Sequence, residues 1–228
     1  METESRRTKM QNNRLQIQVV DQAVSVVRCP EGLEALRFLE NCGRVCSKTE
    51  DRITPDSASN FIENIIKRGH ESVIEHLSAT AYFICSRSIS HEIVRHRLAS
   101  YSQESTRYCN YCSSRLDFTL TFVRPPELQI DTDEYEIWYK SVEESAYTYF
   151  TLIENGVNHQ VAREVLPFSL KTELIMTANL REWRHFLRLR MAKDAHSAIR
   201  LLAKSLYFQL SSRIPIVFDD LKELYLSD

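Results

Sequence analysis

Leu77 to Cys85 reads LSATAYFIC, with Leu77, Ala79, Ala81, Phe83 and Cys85 on alternate positions. Such alternation predicts a strand. Asp117 to Val123 (DFTLTFV) alternates in the same way and is stopped by Pro125-Pro126, since proline cannot continue a hydrogen-bonded ladder. Leu170 to Ala178 reads as a further strand, and Leu15 to Val27, rich in Val, Ile and Gln, as a strand or hairpin arm. Helical spacing fills the intervals. Glu31 to Cys46 carries Leu33, Leu36, Phe38 and Leu39. After Pro55, Asp56 or Ser57 can cap a helix bearing Phe61, Ile65 and Ile66, ended by Gly69. Ser88 to Arg97 reads as helix, with Ile89, Ile93 and Val94 inward. Asp133 to Asn155 is a long amphipathic helix with Tyr135, Trp138, Val142, Tyr149 and Leu152, closed by Gly156. Asn179 opens a helix with Glu182 three residues on, a capping-box arrangement. Asp194 to Arg213 reads as another helix, stopped near Pro215. Strands among helices of varied length predict an α+β fold, with a mixed or antiparallel sheet flanked by long helices.

The 228 residues suit one compact domain, expected over 15–228. Residues 1–14 read as a flexible polar tail, basic and without the apolar centre of a secretory signal. A net charge of −2 gives no general attraction to nucleic acid, and no apolar run approaches a membrane span. The expected location is cytoplasmic. Cys109 and Cys112 form a CxxC, and Cys42 with Cys46 offers a second pair, a spacing compatible with a zinc site. Apolar and aromatic flanks (Tyr108, Tyr111) and the lack of a tight His/Cys knuckle favour reduced thiols and no metal. None of the four glycines falls in GxGxxG or GxxxxGK, so any dinucleotide must be gripped by side chains.

The densest chemical signal is RHRLASYSQESTRY, Arg95 to Tyr108. Arg95, His96 and Arg97 stand at a predicted helix end, Leu98 to Gln103 reads as a loop, and Ser105 and Arg107 follow. Forked guanidinium donors beside neutral hydroxyls and amides suit a phosphate. By composition alone the cluster is also compatible with a solvated face or with a nucleic-acid-binding surface, although the acidic chain lacks aromatics interleaved with the basic residues. A zinc hydrolase built on Cys109, Cys112 and histidines is a third reading.

The pattern RHR, seven residues, Ser, one residue, Arg resembles the signature of the flavin-dependent thymidylate synthase (ThyX) family. Three further segments match in order: RGHESVIEH (68–76), AREVLPFSL (162–170) and NLREWRHFLRLR (179–190), the last followed by Asp194-Ala195-His196. The resemblance covers about residue 15 to the C-terminus. It implies reductive methylation of dUMP to dTMP, with methylenetetrahydrofolate as carbon donor, FAD as hydride carrier and NADPH as reductant, in a homotetramer with interfacial active sites and without nucleic acid or membrane partners. It assigns FAD to Ser72, Arg95, His96, Arg97, Gln103, Asn179, Arg181 and His185. It assigns dUMP to Glu92, Arg95, Gln103, Glu104, Ser105, Thr106, Arg107, Arg163 and Arg190. Arg190 is the implied activator of the uracil ring, because an adjacent cation favours the ionised imide. Ser105 is read as a nucleotide ligand rather than a nucleophile, since no base is evident beside it. Glu92, Gln103 and His185 depart from residues common in the family, and His70 and His196 read as ordinary core or surface histidines.

Overall fold

A computed structural model describes residues 15–226. The stretch read as one catalytic domain packs as two compact units. One takes the described residues up to Asp21 together with Glu104–Lys171; the other takes Gln22–Gln103 and the described residues from Thr172 onward.

The first unit is built on a pair of parallel strands, β1 (Gln16–Val20) and the later segment Thr119–Val123, with Ile17 opposite Leu120 and Val19 opposite Phe122. The helix Asp133–Glu154 covers them. Thr132 caps it, its hydroxyl accepting from the Tyr135 amide at 3.3 Å. Val142, Ala146, Tyr149 and Phe150 recur on one face and meet Tyr111, Leu120, Phe122, Ala162 and Leu170 in a separate core. The helix ends one residue short of the expected Asn155, and Gly156 follows at φ +83, a backbone region open to glycine.

The second unit holds a four-stranded sheet. In chain order its elements are β2 (Ala23–Arg28), α1 (Gly32–Val45), α2 (Ser57–Lys67), β3 (Ser78–Ser86), α3 (Arg87–Ile93), β4 (Ala99–Gln103), then β6 (Lys171–Asn179), α5 (Leu180–Arg190) and α6 (Ser197–Arg213), with Thr119–Val123 and Asp133–Glu154 of the first unit counted as β5 and α4. The strand order is β2-β3-β6-β4. β2 pairs antiparallel with β3, and β4 antiparallel with β6. The alternation that predicted β3 is present, with Ala79, Ala81, Phe83 and Cys85 buried. The sheet and α1, α2, α3, α5 and α6 share one core that includes Leu39, Ile62, Trp183, Phe186 and Leu206.

Several local expectations are corrected. Leu15–Val27 is not a hairpin arm: β1 and β2 flank Asp21-Gln22 and pair into different units. The helix expected to reach Arg97 stops at Ile93, so Val94 falls beyond its buried face and is exposed, and the loop expected over Leu98–Gln103 contains β4. β4 was hidden because Ser100 and Ser102 form its exposed face. The helix expected from Asp194 begins at Ser197, with His196 Nδ1 accepting from the Ala198 amide at 3.2 Å. Asp56 occupies the N-cap of α2 without a side-chain bond, and Ser57 Oγ instead accepts from the Thr54 amide at 2.9 Å.

α1 and α2 meet at a glycine. A Cβ on Gly43 would lie 2.6 Å and 2.8 Å from two Phe61 ring atoms and 3.3 Å from Ile65 Cδ1. The ring is held in place by the Arg44 guanidinium, 4.4 Å from its centroid, and Arg44 is anchored to buried Glu40 at 2.7 Å. Gly43→Ala gains about 1 kcal/mol of helix propensity but overpacks this contact at a cost of about 1–3 kcal/mol. Net destabilisation is expected, read as a lower urea midpoint at unchanged slope; an equal or higher midpoint would show that Phe61 yields freely.

Candidate active site

β3 delivers the chain into α3, where Ser86 Oγ accepts from the Ile89 amide at 3.4 Å. Past Ile93 the backbone turns, and the Tyr101 hydroxyl reaches the carbonyls of Ile93 and His96 at 3.0 and 2.6 Å. Burial, with Glu182 nearby, pushes the Tyr101 pKa up to about 12, so it donates. The turn sends Arg95 and Arg97 to solvent and His96 inward against Phe186, ring centroids 4.8 Å apart. Neither Arg95 nor Arg97 has a side-chain hydrogen bond or ion pair among the described residues. Exposed guanidinium groups without carboxylate partners are the donors an anionic ligand needs.

α5 carries Arg190 as its last residue, about three turns beyond its cap Asn179, whose Oδ1 accepts from the Glu182 amide at 2.8 Å. Arg190 Nε donates to His96 Nε2 at 3.1 Å, Nη1 to Glu92 Oε2 at 3.0 Å and Nη2 to the Glu92 carbonyl at 3.0 Å. His96 Nδ1 lies 3.2 Å from Glu182 Oε1. Arginine cannot accept a hydrogen bond, so His96 Nε2 must accept, which leaves the ring proton on Nδ1 and Glu182 as its acceptor. Burial, then the positive charge of Arg190 and the neighbouring His185, lowers the His96 pKa to about 4. The contact with Glu182 is therefore a hydrogen bond to neutral imidazole, not an ion pair at neutral pH. Burial raises the Glu182 pKa, partly countered by His185.

The segment Glu71–His76 forms a 3-10 helix tied to the outer side of α5. Glu71 Oε1 accepts from Arg184 Nε and Nη2 at 3.1 and 3.0 Å and from Arg188 at 2.8 Å. Arg184 is fully buried and also donates to Asp220, at 2.6 and 2.7 Å, and to the Val217 carbonyl. Glu75 pairs with Arg181 at 2.6 Å. The HES turn (His70-Glu71-Ser72 and the 3-10 segment after it) and α5 thus belong together as a packing unit. Ser72 is exposed on that segment and lines a cleft of about 970 Å³ that also presents Arg44, Arg52, Arg68 and His70.

In the first unit, the loop after Gln103 is fixed by its own contacts. Glu104 accepts from the Tyr111 hydroxyl at 2.8 Å and pairs with Lys171 at 3.2 Å. Arg163 Nη1 donates to the Thr106 hydroxyl at 2.8 Å, and its Nε to the Gln160 carbonyl at 3.1 Å. His159 Nε2 lies 2.8 Å from the Arg107 carbonyl. The Arg107 guanidinium is exposed, 5.9 Å from the centroid of the Tyr108 ring. Ser105 Oγ accepts from the Arg107 amide at 3.3 Å, and no base contacts that hydroxyl among the described residues.

The structure thus brings Glu92, His96, His185 and Arg190 into one cluster, and Glu104–Arg107 and Arg163 into another. Asn179 serves as a helix cap, and Arg181 is engaged by Glu75. Gln103 is turned inward, its amide donating to Ser90 at 2.9 Å and Thr172 at 3.2 Å. Sequence reasoning missed Glu182, which it took for a capping residue, together with Lys171, Tyr111 and His159. It also missed a possible metal-ligand geometry: ligand atoms of His96, Glu182 and His185 lie within 4.8 Å of one another. Arg190 donating into His96 Nε2 makes that cluster a hydrogen-bonded relay, since a cation already faces it. Cys109 and Cys112, weighed as zinc ligands, pack against the first unit's core, and burial, with a smaller push from Glu154, raises the Cys112 pKa to about 12.

Fold and clusters define an α+β protein that presents Arg95, Arg97 and Arg107 at its surface and has no glycine-rich phosphate loop in its sequence. The family model described as thymidylate synthase complementing protein (Thy1) matches residues 32–216. The flavin-dependent thymidylate synthase of Pyrococcus furiosus is 36% identical over 172 residues, covering 75% of this chain and 70% of its own length. Its counterpart from Mycobacterium tuberculosis is 35% identical over 209 residues, covering 84% and 81%. The crystal structure of the UMP/dUMP methylase PolB from Streptomyces cacaoi, bound with 5-Br UMP, superposes with a TM-score of 0.72 at 21% identity, covering 93% of this chain and 98% of that one. The chain belongs to the Thy1 family of flavin-dependent thymidylate synthases, which are enzymes. No helix among the described residues is long and apolar enough to cross a membrane.

Proposed function

We propose that this protein methylates dUMP reductively to dTMP, with methylenetetrahydrofolate as carbon donor, FAD as hydride carrier and NADPH as its reductant. The observation that carries the reading is Arg190, oriented by three hydrogen bonds that it donates to Glu92 and His96. A guanidinium has five N–H donors, so two remain for a ligand. Beside a uracil imide they favour the ionised, electron-rich ring. The relatives' flavin dependence and the uracil nucleotide held by the structural neighbour point to the same chemistry.

The donor set fits a flavin dinucleotide. Arg95 and Arg97 are exposed and free of carboxylates, and Ser72 stands among cations in its cleft. These groups hold the cofactor's diphosphate, while Asn179, Arg181 and His185 lie on the helix that follows its length. Bound flavin supplies the hydride chemistry. On the nucleotide side, Arg107 and Arg163 pair with the dianionic phosphate, and Glu104, Ser105 and Thr106 wrap the sugar and base. Thr106 also keeps Arg163 in place. Glu92 serves the nucleotide through Arg190, because its carboxylate is already committed there. The active sites lie at subunit interfaces of a homotetramer.

Purified protein reconstituted with FAD is expected to be yellow and to form dTMP from dUMP, methylenetetrahydrofolate and NADPH. Arg107→Ala should raise the KM for dUMP about tenfold to a hundredfold, the worth of a charge-assisted hydrogen bond of about 1.5–3 kcal/mol. Protein that takes up no flavin and forms no dTMP would overturn the function; an unchanged KM would remove Arg107 from the phosphate site.

A further inference from the structure

Glu182 has no part in the assigned site, yet its carboxylate is buried and points at His96. At the third position of α5 a glutamate ordinarily reaches back to the cap residue's amide. Here only half of that exchange is made: Asn179 Oδ1 accepts from the Glu182 amide, and the Glu182 side chain goes to His96 instead. A buried carboxylate is retained at a desolvation cost, and this one faces an imidazole whose other nitrogen faces Arg190.

The two nitrogens of a neutral imidazole have opposite roles, and the partner of one sets the role of the other. Were Nδ1 unprotonated, Nε2 would carry the hydrogen and meet the Arg190 N–H donor to donor. Glu182 accepts from Nδ1–H and so excludes that tautomer. We propose that Glu182 is a positioning residue for the reaction: acting through His96, it holds Nε2 as the acceptor that, together with Glu92, aims the Arg190 guanidinium. The inference rests on the reading of Arg190 as the group that activates the uracil ring. Glu92 fixes Nη1 and Nη2, and among the described residues the His96 bond fixes Nε, so losing it frees the guanidinium plane to swing about its Glu92 anchor. His185, with its ring centroid 5.5 Å from that of His96, closes the cluster on its exposed side.

The test is a double-mutant cycle on the flavin-loaded enzyme with saturating cosubstrates. Glu182→Leu should lower kcat on the order of tenfold to a hundredfold, the range for outer partners that fix a histidine tautomer, with KM for dUMP and flavin absorbance within twofold. Glu182→Gln, whose amide oxygen can accept from Nδ1–H, should recover most of the loss. In a His96→Phe background Glu182→Leu should cost nothing further. A kcat within twofold for Glu182→Leu overturns the proposal, as does a loss undiminished in the His96→Phe background. Should Glu182→Leu fail to fold, the imidazole 15N shifts of the intact enzyme decide: a neutral Nδ1–H tautomer for His96 supports the proposal and an Nε2–H tautomer defeats it. Arg190→Ala, measured in parallel, separates the two ideas. Turnover retained there removes the role of Arg190; turnover lost there with Glu182→Leu fully active removes only the role of Glu182.

Discussion

Arg190→Ala is expected to lower kcat for dTMP formation by about 10²- to 10³-fold, the usual loss on removing one preorganised donor from a reacting centre. The flavin should remain bound, because Arg190 spends three donors on Glu92 and His96 while the exposed Arg95 and Arg97 lie outside that network. The fold should tolerate the change: Glu92 keeps about a third of its side-chain surface in water and is solvated once its partner is gone. Lysine is not a substitute at this position, since one ammonium cannot engage both His96 and the two Glu92 acceptors in a plane. Single-turnover measurement of dTMP, with the flavin spectrum recorded alongside, reads both properties. A loss smaller than tenfold would move ring activation to another group.

Arg184→Ala should instead unfold the protein more easily, by about 3 kcal/mol, the low end of the range for breaking a buried ion pair. Arg184 is fully buried, and its removal leaves Glu71, 11% exposed, with Arg188 alone. Asp220 is more open to water, which is why the upper end of the range does not apply. Burial by itself raises both carboxylates, but hydrogen bonds and charge from Arg188 and Arg184 outweigh it, and both pKa values lie below the ordinary range. A depressed folded-state pKa contributes stability above the unfolded value and loses it as the pH falls through the folded one. Acid should therefore destabilise the wild type more than Arg184→Ala, and urea titrations at neutral pH and below the carboxylate range should converge. Parallel curves would show that this network is not what acid attacks.

Much of this fold could be read from residue order. β3 and β6 bury alternate apolar side chains, and α5 buries Trp183, Phe186 and Leu187 at helical spacing, so local pattern and tertiary burial agree. β4 escaped because its outward residues are serines and its length is only five residues. The hairpin misreading of Leu15–Val27 has a similar origin: both strands have the right composition, but which sheet each joins is decided by partners more than 50 residues away. At the site, motif spacing found the arginines. It could not tell that Arg181 and Arg188 face glutamates of the HES turn while Arg95 and Arg97 stay free, because charge pairing is a property of the folded surface. Glu182 was legible as a cap and illegible as a partner of His96, 86 positions earlier in the chain.

The edge strand β2 has a further consequence. Val24 and Val26 turn backbone groups away from β3, and the Gln209 amide meets both, donating to the Val24 carbonyl at 2.9 Å and accepting from the Val26 amide at 2.8 Å. An open row of such groups on a valine-rich strand is a template for a stranger's strand. One glutamine side chain from α6 occupies two positions of that row, so a strand arriving at this edge would first have to displace the Gln209 amide.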